Sequence, residues 1–238
     1  MHRHRVVSAV LVAASLVGCS SSGSPGKPSG SATASPTPSA VASASRSFTS
    51  NLSSVVGLRF TWPTPGWRPV ETIYDLAIHP PGLPGATLHV SKGLFPTDPT
   101  GSFLETKVSA TGVIAALHGM SALQSSQPVR DHIGDGIAAA RVDIRLAPTA
   151  PASGFAYLTH TIDTGIGTVF SIKKGMVVRV YAAAYTAPYG HELLNIAVEA
   201  PDAKVFARWT RLAARALQSL RLPEGFVPAH TFRANEWD

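Results

Sequence analysis

Cys19 is the only cysteine in 238 residues, so no disulfide can form within the chain. Fingerprints of catalysis are missing as well. There is no Gly-x-Ser-x-Gly elbow to support a hydrolase serine. No phosphate loop occurs, and Gly165-Ile166-Gly167 lacks the third glycine and the following helix of a dinucleotide site. His191-Glu192-Leu193-Leu194-Asn195 stops one residue short of a zinc protease motif. The second imidazole would have to stand where Asn195 is, and the stretch reads as a strand. His79, His89, His118, His132, His160 and His230 show no ligand spacing and read as surface groups or partly satisfied core groups. Asp131 to Gly136 lacks the alternating oxygens and terminal Glu of a calcium loop, so Asp135-Gly136 is expected to be a hairpin turn. No metal, cofactor or catalytic residue is expected.

A nucleic-acid footprint is lacking too. The chain carries 20 basic and 14 acidic residues, net +6. Setting aside Arg3 and Arg5 at the N-terminus, and Lys27 and Arg46 further on, leaves +2. A nucleic-acid-binding domain needs a larger and clustered excess.

What is present at the front reads as an export signal. Arg3 and Arg5 supply the positive region, and Val6 to Val17 form an apolar segment of 12 residues. A spanning helix needs about 20. Leu16-Val17-Gly18-Cys19 then resembles a bacterial lipobox. The resemblance implies removal of residues 1–18 and a diacylglyceryl thioether, with acyl chains such as palmitate, on Cys19. The protein would be lipid-anchored on the extracytoplasmic face of the cell membrane. Two or more acyl chains hold firmly where one holds marginally. Residues 19–47 are the lipidated cysteine and a tether. Ser20 to Ser47 is almost all Ser, Ala, Pro, Gly and Thr, too poor in large apolar side chains to offset ordering entropy. Its 28 residues would span about 30 Å. The composition has an actinobacterial flavour, and Thr and Ser beside Pro are candidate glycosylation positions.

Residues 48–238 form one α+β domain on this reading. Partial alternation marks Val55 to Trp62. Cleaner alternation predicts a strand over Val70 to Ile78 and another over Ala86 to Leu94. Ser102-Phe103-Leu104-Glu105 is a capping-box pattern and predicts a helix from there, with Leu104, Val108, Ile114, Leu117 and Met120 as its stripe. Ile137 to Ala147 alternates, with Ala138, Ala140, Val142, Ile144 and Leu146 inward and Arg141, Asp143 and Arg145 outward. Strands are predicted over Phe155 to Ile162, Thr168 to Lys174, Met176 to Tyr185 and His191 to Ala200, paired antiparallel through short turns. Asp202 caps a final amphipathic helix that Pro223 ends. The order predicts a twisted antiparallel sheet packed with two helices.

Three motifs resemble the PsbP-like α/β sandwich, in particular the actinobacterial LpqN-type lipoproteins. These are the Pro65-Gly66-Trp67 turn, the strand entry Gly136-Ile137-Ala138-Ala139-Ala140, and Asn195 to Pro201 followed by a helix and Gln218-Ser219-Leu220-Arg221. The resemblance covers roughly residues 55 to 222 and its motifs are structural. It implies a binding or assembly role in the cell envelope and carries no shared catalytic residues.

Two surfaces are candidate sites. Arg141, Asp143 and Arg145, with Arg179, Tyr181 and Tyr185, make a polar-aromatic set that could line a groove for a ligand or partner. They could equally be covered by the second helix or face water. Lys204, Arg208, Arg211 and Arg215 form a basic stripe that could lean on anionic lipid, or be the solvated face of an amphipathic helix. The sequence therefore favours a non-enzymatic envelope lipoprotein that binds a partner protein, a lipid or a glycan. The alternative is an envelope hydrolase whose residues converge only in three dimensions.

Overall fold

The structure, a computed structural model, describes residues 47–50, 57–62, 64–72, 75–106, 109–162, 165–188 and 190–229. At 160–162 and 165–169 it describes the backbone alone. Two units divide the chain, Met1–Ala42 and Ser43–Asp238, and every described residue belongs to the second. The lipobox and residues 20–46 lie outside the described residues.

Short strands come first: β1 (Ser47–Thr49), β2 (Arg59–Thr61), β3 (Arg68–Glu71), β4 (Leu76–His79), β5 (Thr87–Lys92) and β6 (Phe95–Pro96). Helix α1 (Ala110–Gly119) follows, then β7 (Leu123–Ser125), β8 (Val129–Ile133) and β9 (Ile137–Leu146). The second half runs β10 (Phe155–Ile162), β11 (Gly165–Ile172), β12 (Val177–Ala187), β13 (Gly190–Ala200), α2 (Ala203–Gln218) and β14 (Val227–Pro228). The main sheet has the order β3-β4-β5-β13-β12-β9-β7, with β14 on β12 and β8 on β9. Every pairing is antiparallel. A second sheet, β11-β10-β6, and the pair β1-β2 complete it. The expected α+β class, an antiparallel sheet packed with two helices, is what the chain forms.

Each face of the main sheet has its own core. One packs against α2 and includes Leu76, Ile78, Leu88, Val90, Ile196, Val198 and Trp209. The other lies against α1 and the β10-β11 hairpin and includes Ile114, Leu117, Val142, Val180, Tyr157 and Phe170. Burial on both sides is why β13 reads as a nearly continuous apolar run from Leu193 to Ala200. It also changes the reading of β9. Arg141 and Asp143 stand half-buried, on the side of the sheet against which α2 packs.

Two sequence expectations are corrected. Val70 to Ile78 is not one strand: it turns at Thr72 to Asp75, where Thr72 N–H donates to the Asp75 carbonyl, and returns as β4. Helix α1 does not start at Ser102. Its cap is Ser109, whose Oγ accepts from Gly112 N–H at 3.0 Å. The Ser102 N–H is taken by the Asp98 carboxylate at 3.0 Å, which closes a turn instead. Asp202 caps α2 as expected, accepting from Val205 N–H at 2.8 Å. Asp135-Gly136 forms the β8-β9 turn, with φ of 28° and 71°.

Candidate functional site

On the α2 side, register places Arg179 opposite Asp143 and Tyr181 opposite Arg141. Arg179 donates to Asp143 through Nε at 2.6 Å and Nη2 at 2.8 Å, the two-pronged geometry that a guanidinium and a carboxylate favour. Those bonds to Asp143 push the Arg179 pKa further above its ordinary value despite partial burial. The Phe206 ring of α2 lies 5.6 Å from the guanidinium carbon. Arg141 Nε donates to Asp131 of β8 at 2.7 Å. Tyr181 and Tyr185 are core residues, and Tyr185 stacks on Phe226 at 5.6 Å. Burial raises the Tyr181 pKa. The structure thus brings Arg141, Asp143, Arg179 and Tyr181 together, but with the three charged groups half-buried and paired within the domain, and Phe206 of α2 over Arg179.

Arg145 stands apart. Exposed near the start of α2, it borders two adjoining grooves of about 510 and 340 Å³. The larger has Lys174 on its rim and Leu146, Pro148, Pro151 and Met176 in its walls. The smaller runs past Ser125, Asp143 and Phe206. Ser125 Oγ lies 2.8 Å from His118 Nδ1 and 3.3 Å from the His118 carbonyl oxygen. Among the described residues no carboxylate pairs with His118. The pair therefore ties the end of α1 to β7 without the third group that orients a catalytic imidazole.

The opposite face carries a cluster that sequence reasoning missed. His89 on β5 is flanked in register by Ala77 of β4 and Ala197 of β13. Two small neighbours leave room for the ring, and acids at the diagonal positions reach it. Asp75 Oδ2 lies 2.6 Å from Nδ1, and Glu199 Oε2 lies 3.5 Å from Nε2. Tyr157 of β10 donates its hydroxyl to Glu199 Oε1 at 3.4 Å. Burial and the nearby Glu199 charge hold the Tyr157 pKa well above its usual value. Phe170 covers the imidazole at 5.4 Å. Burial opposes charge on His89, but hydrogen bonds to Asp75 and Glu199 outweigh it and raise the pKa to about 10. At neutral pH the ring is an imidazolium with a carboxylate on each nitrogen. It has no lone pair with which to take a proton.

This cluster gives the domain a pH dependence. The folded pKa exceeds the unfolded value of 6.5, so its stabilisation is complete below pH 6.5 and fades as pH rises through about 10. One pKa unit is about 1.4 kcal/mol, so the loss across that window is at most about 5 kcal/mol. Urea unfolding at pH 6, 8 and 10 is expected to show steadily falling stability. A flat profile would mean that His89 folds uncharged.

The near-zinc motif is structural: His191 Nδ1 lies 3.0 Å from Thr186 Oγ1 across the β12-β13 pair, and buried Asn195 accepts from Leu94 N–H. On a strand the two side chains stand about 13 Å apart, too far to share an ion. Among the described residues no group of three His, Cys, Asp or Glu is arranged to hold a metal. Lys204, Arg208, Arg211 and Arg215 are all exposed along α2.

Fold and site define a class: an α+β sandwich with paired internal charges on one face, a locked imidazolium on the other, and open grooves near the start of α2. No family model matches the chain, and no curated protein matches it. Among solved structures it is similar to LpqN of Mycobacterium tuberculosis, described as involved in cell envelope biogenesis. That likeness is 12% in identity with a TM-score of 0.39, over 72% of this chain and 84% of that one. The fold class rests on sheet order and the two helices. Among the described residues no helix is long and apolar enough to cross a membrane.

Proposed function

We propose that this is a lipid-anchored envelope lipoprotein of the LpqN type, acting as a non-enzymatic binding or accessory module for a partner protein, lipid or glycan. The observation that carries the non-enzymatic part is the state of His89. Among the described residues it is the one histidine with acids on both sides, and both ring nitrogens are occupied. The groove beside Arg145 and Lys174, with its apolar walls, is the binding surface on this reading. Anchoring is supported by Leu16 to Cys19 and the Ser/Pro-rich stretch after it, and LpqN-type membership by the three motifs that resemble that family.

One specific observation favours the hydrolase alternative: the Ser125–His118 contact at the edge of the smaller groove. A single experiment separates the two readings. Protein extracted from its native membrane is treated with a fluorophosphonate serine probe and weighed intact. A diacylglyceryl mass on Cys19 and no phosphonyl adduct are expected. An adduct on Ser125 would make the protein a hydrolase, and an unmodified Cys19 would remove the anchor.

A further inference from the structure

Helix α2 carries Lys204, Arg208, Arg211 and Arg215, and no acidic residue lies between Ala203 and Gln218. At 3.6 residues per turn the four fall within an arc of about 60° and run about 16 Å along the axis. That arc is opposite the buried ridge of Trp209, Ala213, Ala216 and Leu217. Like charges three and four residues apart repel each other on a helix. Lys204, in the first turn, also opposes the helix dipole. Among the described residues none of the four forms an ion pair. Arg215, in the last turn, suits the dipole, so the unfavourable part is the repulsion between neighbouring cations, which an external counter-charge would relieve.

The rest of the domain does not share this charge. Residues 48–238 have net +2, so without these four they would have −2. Elsewhere in these residues 12 basic side chains are set against 14 acidic ones, whereas this one exposed helix face carries four basic and no acidic ones. Its shape and composition decide between occupants. The face is convex and straight. Ala207 and Gln218 flank the stripe, with none of the aromatic side chains that anchor a protein partner or stack on bases. A plane of anionic headgroups asks only for a row of cations at its surface. Residues 19–46, about 30 Å of tether on the anchored reading, are long enough to let that face reach the bilayer.

We infer that the basic face of α2 docks the domain on a bilayer rich in anionic phospholipid. The charge argument stands without the lipid anchor; only the tether argument rests on it. Each cation at such a surface contributes about fivefold in affinity, equivalent to ~1 kcal/mol. Losing all four is expected to weaken binding on the order of 100-fold or more at low salt.

The test is co-sedimentation of the full chain with vesicles of equal parts phosphatidylglycerol and phosphatidylcholine, against pure phosphatidylcholine. Every protein carries Cys19→Ala, so no acyl chain contributes, and residues 1–46 are the same throughout. One variant replaces Lys204, Arg208, Arg211 and Arg215 with Gln. A second replaces four exposed cations elsewhere, Arg59, Arg68, Arg130 and Lys173, with Gln, for the same change in net charge. Thermal unfolding checks that both fold. Expected is phosphatidylglycerol-dependent binding that salt weakens, lost in the α2 variant and kept in the second. Equal loss in both variants, equal binding to both vesicles, or no binding by the parent would each overturn the inference. The mass of native Cys19 is read separately, so failure of the anchor and failure of the docking face remain distinguishable.

Discussion

Replacing His89 with alanine is expected to lower the unfolding free energy by about 3–5 kcal/mol at neutral pH, the cost of leaving buried charge without its partner. The side chains of His89, Asp75 and Glu199 are 18%, 14% and 11% exposed. With the imidazolium gone, two carboxylates would face each other across a small cavity. Urea unfolding at pH 7 measures the effect, and the same comparison at higher pH supplies its signature. Wild type loses its own imidazolium as pH approaches 10, so the gap between the two proteins narrows there. Removing the acids together with the base, as Asp75→Asn, His89→Leu and Glu199→Gln, is expected to recover much of the loss. A cost under about 1 kcal/mol for His89→Ala would show that the ring is not carrying charge.

Trp209→Ala has an effect of similar size, about 3–5 kcal/mol for a large aromatic removed from a packed core. Trp209 is fully buried at the end of a run of rings. Phe60 and Trp62 have centroids 5.8 Å apart, Trp62 and Trp67 5.3 Å, and Trp67 and Trp209 5.3 Å. Its indole N–H also donates to the Thr87 carbonyl at 3.2 Å, which fastens α2 to the first residue of β5. Trp209→Phe keeps a ring but loses that bond and some volume, and is expected to cost about 1–2 kcal/mol. Denaturant midpoints rank the two variants. Loss of the near-ultraviolet dichroism of the stacked indoles should accompany the alanine variant only. If both variants cost the same, the hydrogen bond outweighs the packing.

Elements whose signals are local were legible in the sequence. Asp202 marks the start of α2, and Val205, Trp209, Leu212, Ala213 and Leu217 keep helical spacing to its end. Phe155 to Ile162 has the bounds its pattern gives. The misreadings arose where two local signals compete. Ser102 looks like a cap, yet Asp98 takes its N–H first. The β3-β4 turn has Thr72 and Asp75 at its ends and no Gly or Pro to announce it. The polar-aromatic surface was half legible: alternation put Arg141 and Asp143 on one face but did not say that a helix covers it. The His89 cluster was not legible. Asp75, His89, Tyr157 and Glu199 come from four segments, and only the register of β4, β5 and β13 brings the acids to the ring.

The β1-β2 pair sets how the domain would respond to being pulled. Ser47, the first residue of β1, pairs with Thr61, the last residue of β2. A force applied through the chain ahead of Ser47 would open these pairs one after another like a zipper, the weakest way to load a sheet. Peeling off β1 and then breaking the Ser50 bonds to Gly57 and Leu58 would pay out about 40 Å of chain before the load reached β2. There β2 is stitched to the end of α2 by mutual backbone bonds between Arg59 and Arg221, and Ser219 Oγ both donates to the Thr61 carbonyl and accepts from its N–H. The entry to the domain would thus act as a short extensible link ahead of a stiff body, taking up a tug while both cores stay closed.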